Sequence, residues 1–209
     1  MQIVAYWRYA VPTIALIGLS ACFTVGCGGR SPVSQLRDGT PAEAAARVMK
    51  SYDANSDGKV AADELAASPG LLDGLSRIDS NKDGAIDLEE MTARFGKHDE
   101  QSNIIAFQLN VAANGAPLDG AVVTFTPDPA TAGEGKQTYS GTSAAGGVGL
   151  KGSELSMPGL PAGYYTVQIS QPAQSIDFKR GVEIGDDVPS PNRVTIDVSA
   201  KKPSGSSSR

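Results

Sequence analysis

The spacing of apolar residues changes twice along the chain. From Tyr9 to about Gly26, apolar and small residues run almost without a break. Between residues 40 and 97 they recur at helical spacing. Ala45, Val48, Met49 and Tyr52 form one such face, and Leu71, Leu75 and Ile78 another, with Gly74 as a gap in the second set. From residue 104 the period becomes two. Ile105, Phe107, Leu109 and Val111 alternate with Ala106, Gln108 and Asn110. The same alternation holds through Ala121, Val123 and Phe125, through Tyr165, Val167 and Ile169, and through Val194, Ile196 and Val198. Such alternation marks strands with one buried face. Weaker strands are predicted at 137–141, 148–150 and 178–184, and Asn114-Gly115, Asp119-Gly120, Gly146-Gly147 and Ala162-Gly163 supply the turns.

The helical part carries its own start and stop signals. Thr40 is placed to cap a first helix, with Pro41 at its first position and Glu43 completing a capping box. Ser68-Pro69-Gly70 interrupts the pattern. A last helix is predicted from about Leu88, with Met91 and Phe95 inward, to a stop at Gly96. The fold class expected is α+β with two domains. A compact helical pair at 40–97 is followed by a polar hinge at 98–103, an all-β sandwich of about seven strands at 104–199 and a tail at 200–209.

Two twelve-residue segments in the helical part repeat one pattern of oxygen-bearing side chains. Asp53, Asn55, Asp57, Gly58 and Glu64 recur 26 residues later as Asp79, Asn81, Asp83, Gly84 and Glu90. Both resemble the EF-hand loop, D-x-[DN]-x-[DN]-G-x5-E. Calcium takes six to eight oxygen ligands. Positions 1, 3 and 5 offer side-chain oxygens, position 6 needs a glycine for the sharp turn, and position 12 closes the shell with a carboxylate. Position 7 gives a backbone carbonyl, from Lys59 and from Ala85. Asp87 stands at position 9 of the second loop, where the first has Ala61, so the second is expected to bind more tightly. Position 8 is Val60 and Ile86, which in the EF-hand family pair as a short bridge between loops. The resemblance implies two bound Ca2+ ions. The short span also resembles a dockerin, although both entering helices are predicted here.

Charge follows the same reading. The chain carries a net charge of −5, but residues 41–100 alone hold 13 Asp and Glu against 7 Lys and Arg, or −6. Basic residues are scattered with no aromatic interleaving, which argues against nucleic acid as a partner. The one histidine, His98, is expected as a solvated hinge residue, and Asp186 and Asp187 as an ordinary loop pair. With no His or Cys in the predicted sandwich, no Ser-His-Asp or Cys-His centre can be built there, and the chain is expected not to be an enzyme.

The front of the chain bears on location. Arg8, the short apolar core and the small residues after it have the layout of a secretory signal. Leu19-Ser20-Ala21-Cys22 resembles the bacterial lipobox, whose cysteine becomes lipidated after cleavage. This places a signal peptide at 1–21, a lipid on Cys22 and a Gly-, Ser- and Pro-rich tether at 22–39. Thr24-Val25-Gly26-Cys27 is a second candidate, and an uncleaved anchor helix or a plain cleaved signal are the other readings. The lipobox resemblance implies a bacterial envelope lipoprotein, membrane-anchored and facing the periplasm or the exterior.

The strand-rich half resembles a further family. Residues 114–127, Gly141-Thr142-Ser143 and Leu160-Pro161-Ala162-Gly163-Tyr164-Tyr165-Thr166-Val167 look like parts of a carboxypeptidase-regulatory-like domain of transthyretin-like fold. The resemblance implies a spacer, adhesion or carbohydrate-contacting module, with an envelope protein or glycan as partner. Together these readings predict a calcium-binding envelope lipoprotein with a structural or interaction role. The alternative is a calcium-dependent carbohydrate- or protein-binding module.

Overall fold

The computed structural model describes residues 36–101, 104–151 and 159–198. The predicted signal, Cys22, Cys27, the tether up to residue 35 and the tail lie outside the described residues. No helix among the described residues is long and apolar enough to cross a membrane.

The chain is α+β. Its helical part runs α1 (Pro41–Tyr52), β1 (Lys59–Ala61), a single 3-10 turn (Glu64–Ala67), α2 (Pro69–Ile78), β2 (Ala85–Asp87) and α3 (Leu88–Glu100). Thr40 caps α1 as the sequence predicts: its hydroxyl accepts from Glu43 N, and Glu43 Oε2 accepts from Thr40 N at 2.7 Å. The first exit helix is cut to one turn because Pro69, which has no N–H to donate, opens the next helix instead. The last helix departs from expectation. It passes through Gly96 and ends at Glu100, so residues 98–100 of the expected hinge are its final turn. His98 is buried, not solvated, and the contacts it makes override the weak stop signal of a glycine.

The remaining strands are β3 (Gln108–Ala113), β4 (Ala116–Pro117), β5 (Val122–Pro127), β6 (Tyr139–Ala144), β7 (Gly147–Val148), β8 (Gly163–Gln171), β9 (Ile176–Ile184) and β10 (Arg193–Asp197). They form one curled sheet in the order β10-β3-β7-β6-β5-β8-β9, with β4 paired to β3. Every pairing is antiparallel except that of β10 with β3. β6 carries the sheet around its bend. Its residues Tyr139–Thr142 pair with β5, and Ser143 and Ala144 pair with β7. The curl encloses Leu109, Val111 and Ile196 together with Val123, Phe125, Tyr165, Val167, Ile169, Val182 and Ile184. All but Val182 and Ile184, which lie in a strand predicted only weakly, are inward residues that the period of two predicts.

One face of β8 and β9 is covered by the helices. Tyr164, next to the inward Tyr165, belongs to the helical core with Val48, Leu65, Leu71, Ile78, Met91 and Phe95. α2 lies directly on the sheet backbone. A Cβ on Gly181 would sit 1.6 Å from Pro69 O, and one on Gly70 would sit 2.8 Å from Tyr165 N. Gly74, the gap in the predicted apolar face, is where the Tyr164 ring enters, 2.6 Å from an added Cβ. Asp128 ties the ends of two helices to the sheet. Its carboxylate accepts from Tyr52 Oη at 2.7 Å, from Ser68 Oγ at 2.6 Å and from Thr131 N, the last within a one-turn helix α4 (Pro129–Ala132). Residues 36–39 are packed too, unlike a free tether. Leu36 is buried in the sheet core, Asp38 N donates to Ala132 O at 2.8 Å, and Arg37 pairs with Asp99 at 2.8 Å.

A further link is ionic. Glu183, on the helix-covered face of β9, has a side chain with 0% exposure. Arg77 of α2 donates to its Oε2, and Arg94 Nε and His98 Nε2 of α3 reach its Oε1 at 2.8 and 3.0 Å. Arg94 also grips Asp187 with both terminal nitrogens, at 2.5 and 3.0 Å, so Asp187 is an anchor and no ordinary loop residue. Burial acts to raise the Glu183 pKa, but the hydrogen bond from His98 and the proximity of Arg94, His98 and Arg77 outweigh it and hold it at about 2.

Two predictions follow from this packing. Gly181→Ala forces backbone apart and should lower stability to urea by about 1–3 kcal/mol, whereas Gly96→Ala, with open space around it in a helix, should raise it by about 0.5–1 kcal/mol. Equal effects at the two sites would contradict the close approach of α2. Glu183 has a depressed pKa, so its contribution is complete above the free value of 4.5 and is lost as pH falls from there through about 2. Glu183→Gln removes the buried anion between its cationic partners, leaving Arg94 only Asp187 and Arg77 only Asp73, and should cost about 2–4 kcal/mol at neutral pH. It should also flatten the acid limb of a stability–pH curve; an unchanged limb would show that Glu183 titrates normally.

Candidate metal centre

Both candidate loops start at the last turn of a helix and end in the first turn of the next. Residues 53–64 follow α1, and residues 79–90 follow α2. Their backbones match. Ser56 and Lys82 at position 4 have φ of 61°, and Gly58 and Gly84 at position 6 have φ of 84° and 90°. An added Cβ at either glycine would meet nothing, so the left-handed backbone and not crowding selects the residue.

The hydrogen bonds match as well. At position 1, Asp53 Oδ2 accepts from Gly58 N at 3.0 Å and Asp79 Oδ2 from Gly84 N at 2.9 Å. At position 3, Asn55 Oδ1 accepts from Asp57 N and Asn81 Oδ1 from Asp83 N, both at 2.8 Å. At position 5, Asp57 Oδ1 accepts from Lys59 N and Asp83 Oδ1 from Ala85 N. At position 12, Glu64 Oε1 accepts from Ala54 N and Glu90 Oε1 from Ser80 N, each at 2.9 Å. The second oxygens of these glutamates take the N–H of Ala61 and of Asp87. Backbone amides therefore fix the side-chain donors at positions 1, 3 and 5, which lowers the entropy of gathering them round an ion.

The two loops are joined by β1 and β2, which pair antiparallel with Val60 opposite Ile86. Both side chains are fully buried, so the position-8 bridge that the sequence predicts is also part of the helical core. Asp87 takes a second role. Its Oδ1 accepts from Glu90 N at 2.8 Å, which caps α3 and sets the position-12 carboxylate at the head of that helix. Lys59, opposite Asp87, sends its ammonium to Asp83 Oδ2.

The donor set fits a hard cation. Each loop offers carboxylate oxygens at positions 1, 5 and 12, an amide oxygen at position 3 and a peptide carbonyl at position 7, with no sulfur or imidazole. Among the described residues no three Asp, Glu, His or Cys side chains already converge on one point. The position-12 glutamates instead lie on the amides of positions 2 and 3. In a bound site these glutamates would turn toward the ion, and the amide and carbonyl donors would complete the shell.

Sequence reasoning did not find Tyr164, Glu183, Arg94 and His98, which hold the second loop's helices in place. A signal was present. Glu90, Arg94 and His98 stand at four-residue intervals on one face of α3, and all three are buried. A family model described as EF hand matches residues 72–95, which contain the whole second loop with the end of α2 and the first turns of α3. The match implies calcium binding. No curated protein matches the chain.

Proposed function

We propose that the protein binds two calcium ions, one in each loop, and that the ions serve a structural or interaction role in a lipid-anchored protein of the bacterial cell envelope. The observation that carries this reading is the duplicated loop geometry, with the same φ signs and the same amide-to-oxygen contacts in both loops. A structural role is supported by the way the helical core is filled. The apolar face that a calcium sensor opens toward partners is here occupied by Tyr164 and sealed against β8 and β9 by Gly70, Gly74 and Gly181. The envelope location rests on the lipobox-like Leu19-Ser20-Ala21-Cys22. An anchor of two or more acyl chains would hold such a protein firmly, where one chain binds marginally.

Calorimetry with calcium on the full chain should show two binding events. Glu64→Gln should abolish one and Glu90→Gln the other. At 100 times the dissociation constant, a bound ion should raise stability by about 2.7 kcal/mol. A single event removed by both variants, or none, would refute the two-ion reading. Labelled palmitate should enter the wild type and be lost in Cys22→Ala. Loss only in Cys27→Ala would move the lipid to that cysteine, and labelling of neither would sink the lipoprotein reading.

A further inference from the structure

The strand pairing between the loops puts Lys59 opposite Asp87 and carries its side chain out of the first loop and onto the second. Lys59 Nζ donates to Asp83 Oδ2, on the position-5 ligand of the second loop. The other Asp83 oxygen accepts from Ala85 N at 3.1 Å, so both oxygens are engaged.

The arrangement has no counterpart in the other direction. In the first loop Asp57 Oδ2 accepts from Asn55 Nδ2 of the same loop at 3.0 Å. Position 7 of the second loop is Ala85, which has no charge to return. One residue thus serves both loops with opposite effects. The Lys59 carbonyl is the position-7 donor of the first loop, while its ammonium sits on a ligand of the second. A divalent ion and an ammonium repel each other at a shared carboxylate. The Lys59 side chain is 48% exposed and that of Asp83 34%, so the ammonium can swing away into water when an ion enters.

We propose that Lys59 is a built-in cationic competitor at the second loop. It lowers that loop's calcium affinity, offsets the extra carboxylate of Asp87 and draws the affinities of the two loops together. The proposal rests on the calcium reading of both loops, and its test separates the two.

The experiment is calcium calorimetry on the full chain at low salt, with the second-loop event identified as the one that Glu90→Gln removes. Lys59→Gln should tighten that event roughly two- to five-fold, the range of an exposed charge pair, and by more than it changes the Glu64-dependent event. The gain should shrink as salt rises. Lys59→Arg keeps the charge and should stay at or below the wild-type affinity. An unchanged or weaker second-loop event in Lys59→Gln would overturn the proposal while leaving calcium binding intact. Equal tightening by Gln and Arg would also overturn it, because shape and not charge would then be responsible. A wild type with no event that Glu90→Gln removes would overturn the calcium reading and the proposal with it.

Discussion

The carboxylate of Glu183 has no contact with water, and Arg77, Arg94 and His98 close on it from two helices. An unpaired buried charge costs several kcal/mol, so the carboxylate and its partners are stable only together. The curled sheet can keep Glu183 on the outer face of β9 because α2 and α3 cover it. Those helices can bury Arg94 and His98 and half-bury Arg77 because the sheet presents an anion. Around this ionic centre the contacts are close and apolar. Tyr164 fills the helical core at the position left open by Gly74, and Pro69 rests on Gly181.

The same helices hold the second loop. The first turn of α3 carries Glu90, a position-12 donor, and the same face continues through Arg94 to His98 on Glu183. α2 ends at Ile78, one residue before the donor Asp79, and places Arg77 on the same carboxylate. A helix is stiff over such a length, so the loop cannot change the angle between its flanking helices without disturbing the ionic centre. Calcium bound at this loop would therefore act on the same set of contacts as the docking of the helices on the sheet. This is the physical case for an ion that stabilises, as opposed to one that opens a groove.

Much of this was legible in the sequence because it is local. The capping box at Thr40, the glycines at position 6 and the alternation in β3, β5, β8 and β10 each depend on residues a few places apart, and the Val60–Ile86 pairing follows from a local pattern that repeats 26 residues on. What the sequence hid depends on distant partners. Gly74 reads as a flaw in an amphipathic helix until Tyr164 is seen to occupy the space. His98 reads as a solvated linker residue, and Gly96 as a stop, because nothing near them announces Glu183, 85 residues further on from His98. Asp187 reads as a turn residue until Arg94 is found on it. Residues 36–39 read as tether because their partners, Ala132, Lys136 and the sheet core, lie about a hundred residues away.

The account stands on the link between the second loop and β9, and amide hydrogen exchange of the full chain with calcium and with chelator tests that link most directly. If the two are joined through Glu183, calcium should slow exchange in residues 79–100 and, by a comparable free energy, at Val182, Glu183 and Ile184. The Ile176–Arg180 end of β9, away from Glu183, should change less. Slowing confined to residues 53–95, with Val182–Ile184 unaffected by calcium, would contradict the account and make the helical pair a separate unit that merely leans on the sheet.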